Sequence, residues 1–247
     1  MKDRIINKLK EIEEKEGVVI IGTVESGSRV WGFASEDSDY DVRFLYVRNE
    51  KDYLRLEKVR DVIEWQLDDV YDINGWDVRK ALQLLYKSNP TLLEWCSSHI
   101  IYKDSEAFTL FKETVFHYFN EKSSFHHYLH MSDNKLKGDI VRLKNYFYVL
   151  RTLLAAKWVI TKHTQPPIEF NTLKETFLPE ELKPIVDELL DKKINSTGKI
   201  QIKRIKELDD YIAQERAYLN AQTPENTTQK DWEELNNCFL KLIEITR

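Results

Sequence analysis

The sequence predicts an α+β protein: a small N-terminal α/β domain built on a mixed sheet, residues 1–103, followed by an all-helical domain, residues 104–247. Three observations carry this. Short runs rich in β-branched and aromatic residues, VVIIGTV, YDVRFLYV, DVIEWQ and VYDIN, all fall between residues 18 and 74. Beyond residue 77 the apolar residues recur at helical spacing almost throughout. The charge divides in the same way. The chain has 37 basic and 42 acidic side chains, a net −5, and residues 1–100, with 15 basic and 20 acidic, account for all of it. An acidic pocket in the first part and a locally basic surface in the second fit that split, and so does a plain difference in surface decoration. A net charge of −5 gives no global attraction to nucleic acid.

The elements follow in order. Ile5, Leu9 and Ile12 share one helical face, and Gly17 closes that helix. VVIIGTV is a buried strand. Ser26-Gly27-Ser28 is a turn, and Arg29 to Phe33 forms one or two helical turns. SEDSD is a polar loop leading into the strand YDVRFLYV, where Val42, Phe44 and Tyr46 oppose Asp41, Arg43 and Leu45. Residues 61–66 and 70–74 are two further short strands. Gly75 is expected to break the pattern, and Asp77 to cap a helix running to about Lys87. In SNPTLLEW a capping residue precedes a proline at the first helical position, a strong helix start. Further helices are expected at 106–120, 124–132, 134–162, 171–177, 179–193, 199–221 and 229–245, with QPP at 165–167 forcing a break.

The chemistry concentrates in GTVESGSRVWGFASEDSDYDVRFLYV, residues 22–47, which holds three of the chain's 7 glycines. A strand that turns into a helix through Gly27-Ser28 aims backbone N–H groups and a hydroxyl at phosphate oxygens, and glycine keeps a Cβ out of the way. Asp39 and Asp41, two apart at the mouth of the next strand, point to one face with Cα atoms roughly 6.5–7 Å apart. Their charges repel unless a cation sits between them. Such carboxylates are hard oxygen ligands suited to Mg²⁺ or Mn²⁺, and two such ions activate an attacking hydroxyl and stabilise a leaving pyrophosphate. Arg29, next to the Gly-Ser pair, is placed either to touch a phosphate or to brace the carboxylates.

The order strand, Gly-Ser, ten residues, Asp-x-Asp on a strand resembles the signature of the DNA polymerase β-type nucleotidyltransferase superfamily. The fuller string GSRVWGFASEDSDYDVRFLYV, with DINGWDVRKAL and SNPTLLEW downstream, is similar to one branch, the YcgL/RlaP-like family of RNA-repair-associated predicted nucleotidyltransferases. The similarity spans roughly residues 20–103 and continues through LKNYFYVLRTLLAAKW at 143–158. It implies a polymerase-β-like palm in the first domain. It also implies a third carboxylate on a neighbouring strand, which Asp72 in Tyr71-Asp72-Ile73 supplies, with Glu64 in VIEWQ as the competing candidate. Asp39, Asp41 and Asp72 are then the catalytic and metal-binding residues for two Mg²⁺ or Mn²⁺ ions, and Gly27 and Ser28 hold an NTP or dNTP. The reaction implied is transfer of a nucleoside monophosphate to an acceptor hydroxyl. An RNA end in repair or tailing is the acceptor that the family suggests. Related enzymes act on protein side chains or small molecules, so an AMP-transferring, toxin–antitoxin-like enzyme and a non-catalytic nucleotide-binding regulator are the alternatives.

The second half adds a basic segment. Between Lys135 and Lys162 lie seven basic residues and one acid, Asp139. Lys137, Lys144 and Arg151 are spaced by seven and so align on a helix, a stripe suited to a triphosphate or an RNA backbone; Lys144 and Arg151 are its nucleotide-binding candidates. Leu143, Phe147, Leu150 and Leu154 read as the core seam of that helix. His126 and His130 are four apart, but no third ligand accompanies them. Cys96 and Cys238 follow no metal-ligand spacing and read as free thiols. No apolar signal segment opens the sequence, and Arg151 and Lys157 interrupt its longest apolar run. A cytoplasmic protein without a membrane partner is expected; no feature specifies an oligomeric state.

Overall fold

The computed structural model describes residues 1–68, 70–133, 135–197, 199–224 and 230–247. In chain order the elements are α1 (Lys2–Glu16), β1 (Val18–Ser26), α2 (Gly27–Trp31), β2 (Tyr40–Arg48), α3 (Glu50–Tyr53), β3 (Val62–Leu67), β4 (Tyr71–Asp77), α4 (Val78–Tyr86), α5 (Pro90–Cys96), β5 (Ile101–Lys103) and α6 (Glu106–His117). They continue with α7 (Glu121–Met131), β6 (Ile140–Arg142), α8 (Leu143–Lys162), α9 (Phe170–Phe177), α10 (Lys183–Ile194), β7 (Gln201–Lys203), α11 (Lys206–Asn220) and α12 (Glu233–Ile245).

The chain divides into two compact units. The first comprises Met1–Val30, Asp39–Tyr118 and the C-terminal helix α12; the second comprises Trp31–Ser38 and the chain from Phe119 through α11. The boundary expected at 103/104 falls inside the first unit. The reason is packing: α6 lies against α5 and β1, and α12 against α6, α4 and β2. Tyr86 stacks on Trp232 at 3.7 Å between ring centroids, and Tyr53 meets Phe239 edge-on, so the last helix belongs with the sheet.

The first unit is built on a five-stranded mixed sheet in the order β3-β4-β2-β1-β5. β1 pairs antiparallel with β2 and β5, β3 antiparallel with β4, while β2 and β4 are parallel. Val42, Phe44, Tyr46, Tyr71 and Ile73 bury one face under Ile5, Leu9 and Ile12 of α1. Strict alternation therefore turns Asp41, Arg43 and Asp72 to the opposite face. Gly75 does not end β4, as the sequence suggested. It sits inside the strand because a Cβ there would lie 2.1 Å from the Phe44 ring, so the glycine makes room for the aromatic next door. Asp77 caps α4 as expected, its carboxylate accepting from the Arg79 amide at 2.8 Å. Asn89 likewise caps α5 ahead of Pro90.

The second unit packs around α8, whose Leu143, Phe147, Leu150 and Leu154 are fully buried. Phe33, in the short segment 31–38, inserts into the same core, stacking on Phe147 at 5.3 Å and meeting Phe170 edge-on. Two expected helices begin later than the sequence suggested. Residues 140–142 and 201–203 are not helical but form a two-stranded antiparallel ribbon, β6–β7, because Ile140, Val141 and Arg142 pair with Lys203, Ile202 and Gln201. The first positions of the helices expected from 134 and from 229 lie outside the described residues.

Candidate active site

Three strand ends meet at one end of the sheet. The register sets Ser26, at the end of β1, opposite Asp41 near the start of β2. It sets Asp41 beside Asp72 near the start of β4. The parallel β2–β4 pairing is what joins carboxylates 31 positions apart in sequence, and in-register neighbours on one face put their side chains side by side.

Arg43, two residues beyond Asp41 on the same face, fills the space between them. Its Nη2 donates to Asp41 Oδ1 at 3.0 Å and to Asp72 Oδ2 at 2.6 Å, and its Nη1 donates to the Asp72 carbonyl at 2.7 Å. The three side chains retain between 14% and 26% of their exposure, so the network is partly desolvated but open to solvent. Asn74 Nδ2 adds a long 3.4 Å contact to Asp72 Oδ1.

Gly27 closes the site from the β1 side. Its φ of +67° lies in the left-handed region, and a Cβ built on it would stand 2.0 Å from Asp41 Oδ2. Conformation and space both require glycine there. Ser28 follows in α2, half-buried. Arg29 stacks over Tyr40, its guanidinium carbon 3.8 Å from the ring centroid, and its Nε donates to the Asp39 carbonyl at 3.2 Å. These contacts tie Arg29 to the residues that lead into β2. Asp39 is exposed and immediately precedes β2.

Behind this group lies Glu25, a fully buried carboxylate on β1. It accepts from the Asp41 amide at 2.9 Å and from the Tyr102 hydroxyl. Burial pushes its pKa up, while Tyr102, the Asp41 amide, Arg29 and Arg43 draw it back. Asp41 is pushed up to about 7, chiefly by burial; Arg43 opposes this, and the charges of Asp39, Asp72 and Glu25 add to it. Three carboxylates thus act on Asp41, and one guanidinium bridges it to Asp72. Sequence reasoning missed Arg43, Glu25 and Tyr102. The first two carried a signal, since an ionisable residue inside an apolar strand calls for a partner; Tyr102, 77 positions from Glu25, carried none.

Among the described residues no three His, Cys, Asp or Glu side chains converge to hold a metal ion, and the Arg43 guanidinium stands between Asp41 and Asp72. Asp41 and Asp72, in register and bonded to one guanidinium, nonetheless offer the hard oxygen donors that suit a divalent cation. Glu64, the competing third carboxylate, is exposed on the edge strand β3 opposite Asn74.

The structure does not form the basic stripe expected from Lys137, Lys144 and Arg151. Lys137 precedes α8 and Lys144 is exposed in its first turn. Arg151 is only 1% exposed, buried under Trp31 with its guanidinium carbon 4.4 Å from the ring centroid. Its Nε approaches the Ile168 carbonyl at 3.4 Å. Helical spacing aligned these residues, but the helix is enclosed at Arg151. His126 and His130 stand 6.4 Å apart without a third ligand among the described residues. Cys96 and Cys238 are free and buried. No described helix is long and apolar enough to cross a membrane.

Uncharacterized protein YcgL of Bacillus subtilis (strain 168) is 42% identical to this chain over 254 residues, covering 99% of this chain and 97% of that protein. The family model RlaP, "RNA repair pathway DNA polymerase beta family", matches residues 1–241. The parallel pair that seats Asp41 beside Asp72, the Gly27 turn against them and this match over nearly the whole length agree: the chain belongs to the RNA repair pathway DNA polymerase beta family.

Proposed function

We propose that this protein is a cytoplasmic, divalent-metal-dependent nucleotidyltransferase that moves a nucleoside monophosphate from an NTP or dNTP to a hydroxyl at an RNA end. The acceptor oxygen bonds to the α-phosphorus, the α–β phosphoanhydride breaks, and pyrophosphate leaves. The observation that carries this reading is the in-register pair Asp41 and Asp72, both bonded to the same nitrogen of Arg43, with Gly27 pressed against Asp41. Membership of an RNA-repair polymerase β family supports the choice of RNA.

In this reading Asp39 and Asp41 would hold two Mg²⁺ or Mn²⁺ ions, with Asp72 as the third carboxylate of the site. Bound there, the ions supply Lewis acidity toward the attacking and leaving oxygens. The chain's own residues do the rest. The Gly27 turn lets phosphate oxygens approach the backbone, and Ser28 offers a hydroxyl to them. Arg29 keeps Asp39 in place through its carbonyl. Asp72 takes the proton that the acceptor hydroxyl loses. Arg43 keeps Asp41 and Asp72 together, and a cation held by both would have to take the place of its guanidinium.

The test is incubation with each α-labelled NTP and dNTP, Mg²⁺ or Mn²⁺, and RNA acceptors with defined ends. Label should pass to RNA, and Asp39→Asn with Asp41→Asn should abolish transfer while the melting temperature holds. Unchanged transfer in that double variant overturns the site assignment. Label on protein instead of RNA identifies a protein-modifying enzyme, and bound nucleotide without transfer a nucleotide-binding regulator.

A further inference from the structure

The β6–β7 ribbon of the second unit concentrates charge that the described residues around it leave unneutralised. Residues 135–144 and 199–206 contain eight basic side chains and one acid, Asp139. Arg204 is committed to Asp209 at 2.9 Å and to the Leu136 carbonyl, and Lys206 is paired with Asp210. Lys135 lies over the Tyr148 ring at 5.0 Å. That leaves Lys137, Arg142, Lys144, Lys199 and Lys203, all exposed and none with a carboxylate partner among the described residues. Several other cations of the same unit are paired, as Lys157 is with Glu215, Lys174 with Asp187 and Lys183 with Glu180.

The register explains how the five are displayed. Val141 is buried and its partner Ile202 half-buried, so these two turn inward. Alternation then sends Ile140, Arg142, Gln201 and Lys203 to the open face, with Lys203 across from Ile140 and Gln201 across from Arg142. Backbone bonds extend the ladder at both ends, Arg204 N–H to the Asp139 carbonyl and Leu143 N–H to the Ile200 carbonyl. Lys137 flanks one end, beside the Leu136 carbonyl that holds Arg204; Lys144 and Lys199 flank the other. Ile140, 58% exposed, stands among these cations as an apolar contact.

We propose that this ribbon binds the sugar–phosphate backbone of RNA. Like charges crowded on one face repel, and a polyanion that releases its counterions relieves that repulsion. The contacts offered are ammonium and guanidinium groups suited to phosphate, an amide suited to a 2′-hydroxyl, and one aliphatic side chain, so the ribbon grips without reading sequence. The choice of RNA over other polyanions rests on the nucleotidyltransferase reading above. The binding itself needs neither nucleotide nor metal.

The experiment is fluorescence anisotropy of a labelled single-stranded RNA titrated with the full chain, without NTP or divalent ions, across a salt series. Five phosphate contacts predict that log Kobs falls against log[salt] with a slope of about −3.5. Arg142→Gln with Lys203→Gln should weaken binding about tenfold and make the slope shallower by about 1.4, while the melting temperature and NTP binding hold. Lys10→Gln, exposed on α1, should change neither slope nor affinity. Absence of RNA binding, or equal affinity and slope in the double variant, overturns the proposal. So does capture by phosphatidylserine vesicles that RNA does not displace, which identifies the ribbon as a lipid-binding face. Failure here leaves transfer by the first unit standing, and Asp39→Asn with Asp41→Asn should leave RNA binding intact, so the two readings fail separately.

Discussion

Gly27 and Asp41 are so close that a single methyl group on Gly27 would stand 2.0 Å from Asp41 Oδ2. The turn proposed to cradle phosphate and the carboxylate proposed to hold metal therefore constrain one another. Gly27→Ala must either displace Asp41 or open the turn, and the left-handed φ adds about 1 kcal/mol of its own. The expected outcome is a lowered melting temperature and transfer reduced by about 100-fold or more, the scale set by a misplacement of about 1 Å. Thermal unfolding and single-turnover transfer, measured on the same preparation, check this.

Among the described residues, Arg43 is the only side chain bonded to both Asp41 and Asp72. Removing its charge leaves two partly buried carboxylates facing each other. Arg43→Met should cost roughly 2–3 kcal/mol in chelator, somewhat less than a fully buried ion pair because solvent reaches these groups. Millimolar Mn²⁺ should recover a larger share of stability in the variant than it adds to the wild type. Urea unfolding with EDTA and with Mn²⁺ measures both effects. Equal metal response in the two proteins would mean that the carboxylates do not bind the ion.

Asp77 gives a pH signature independent of the candidate site. Burial pushes its carboxyl up to about 6, against opposing bonds from the Arg79 amide, the Tyr53 hydroxyl and nearby arginines. A raised carboxyl pKa means that the folded state holds the proton more tightly than the unfolded chain. Its contribution to stability is thus largest below the unfolded value near 4 and is lost as pH rises through about 6. The gap between those two values corresponds to about 3 kcal/mol. Asp77→Asn keeps an oxygen for the α4 cap and should flatten this pH dependence between about 4 and 6. Unfolding free energies of both proteins at several pH values test it.

Arg151 separates packing from binding. Enclosed beneath Trp31, it should contribute to the stability of the second unit. Arg151→Met should change the unfolding free energy by about 2 kcal/mol and leave NTP affinity unaltered. A tenfold loss of nucleotide affinity with unchanged unfolding would return Arg151 to a phosphate-binding role.

The outline of the sheet was readable because its strands are bounded and alternating: Val42, Phe44 and Tyr46 against Asp41, Arg43 and Leu45 is the pattern that the structure displays. The caps Asp77 and Asn89 were readable because capping is local chemistry. What depended on distant pairing was not. Gly75 looks like a breaker until Phe44, a strand away, occupies the space of its missing side chain. Three-residue strands such as Ile140–Arg142 are too short to show a period of two, so the neighbouring helical signal absorbed them. Arg151 aligned with Lys144 by spacing, yet spacing does not reveal which turns of a helix are covered. At the candidate site, the turn at Gly27 and the strand that carries Asp41 were legible from order and interval, whereas the Arg43 bridge required the register of β2 on β4.

The central claim is that Asp39, Asp41 and Asp72 hold divalent cations beside the Gly27 turn. Electron paramagnetic resonance of Mn²⁺ titrated into the protein with a non-hydrolysable NTP tests it most directly. The account predicts about two bound ions per chain, and their loss in Asp39→Asn with Asp41→Asn while the fold survives. Mn²⁺ binding that is absent from the wild type, or equal in the double variant, would contradict it.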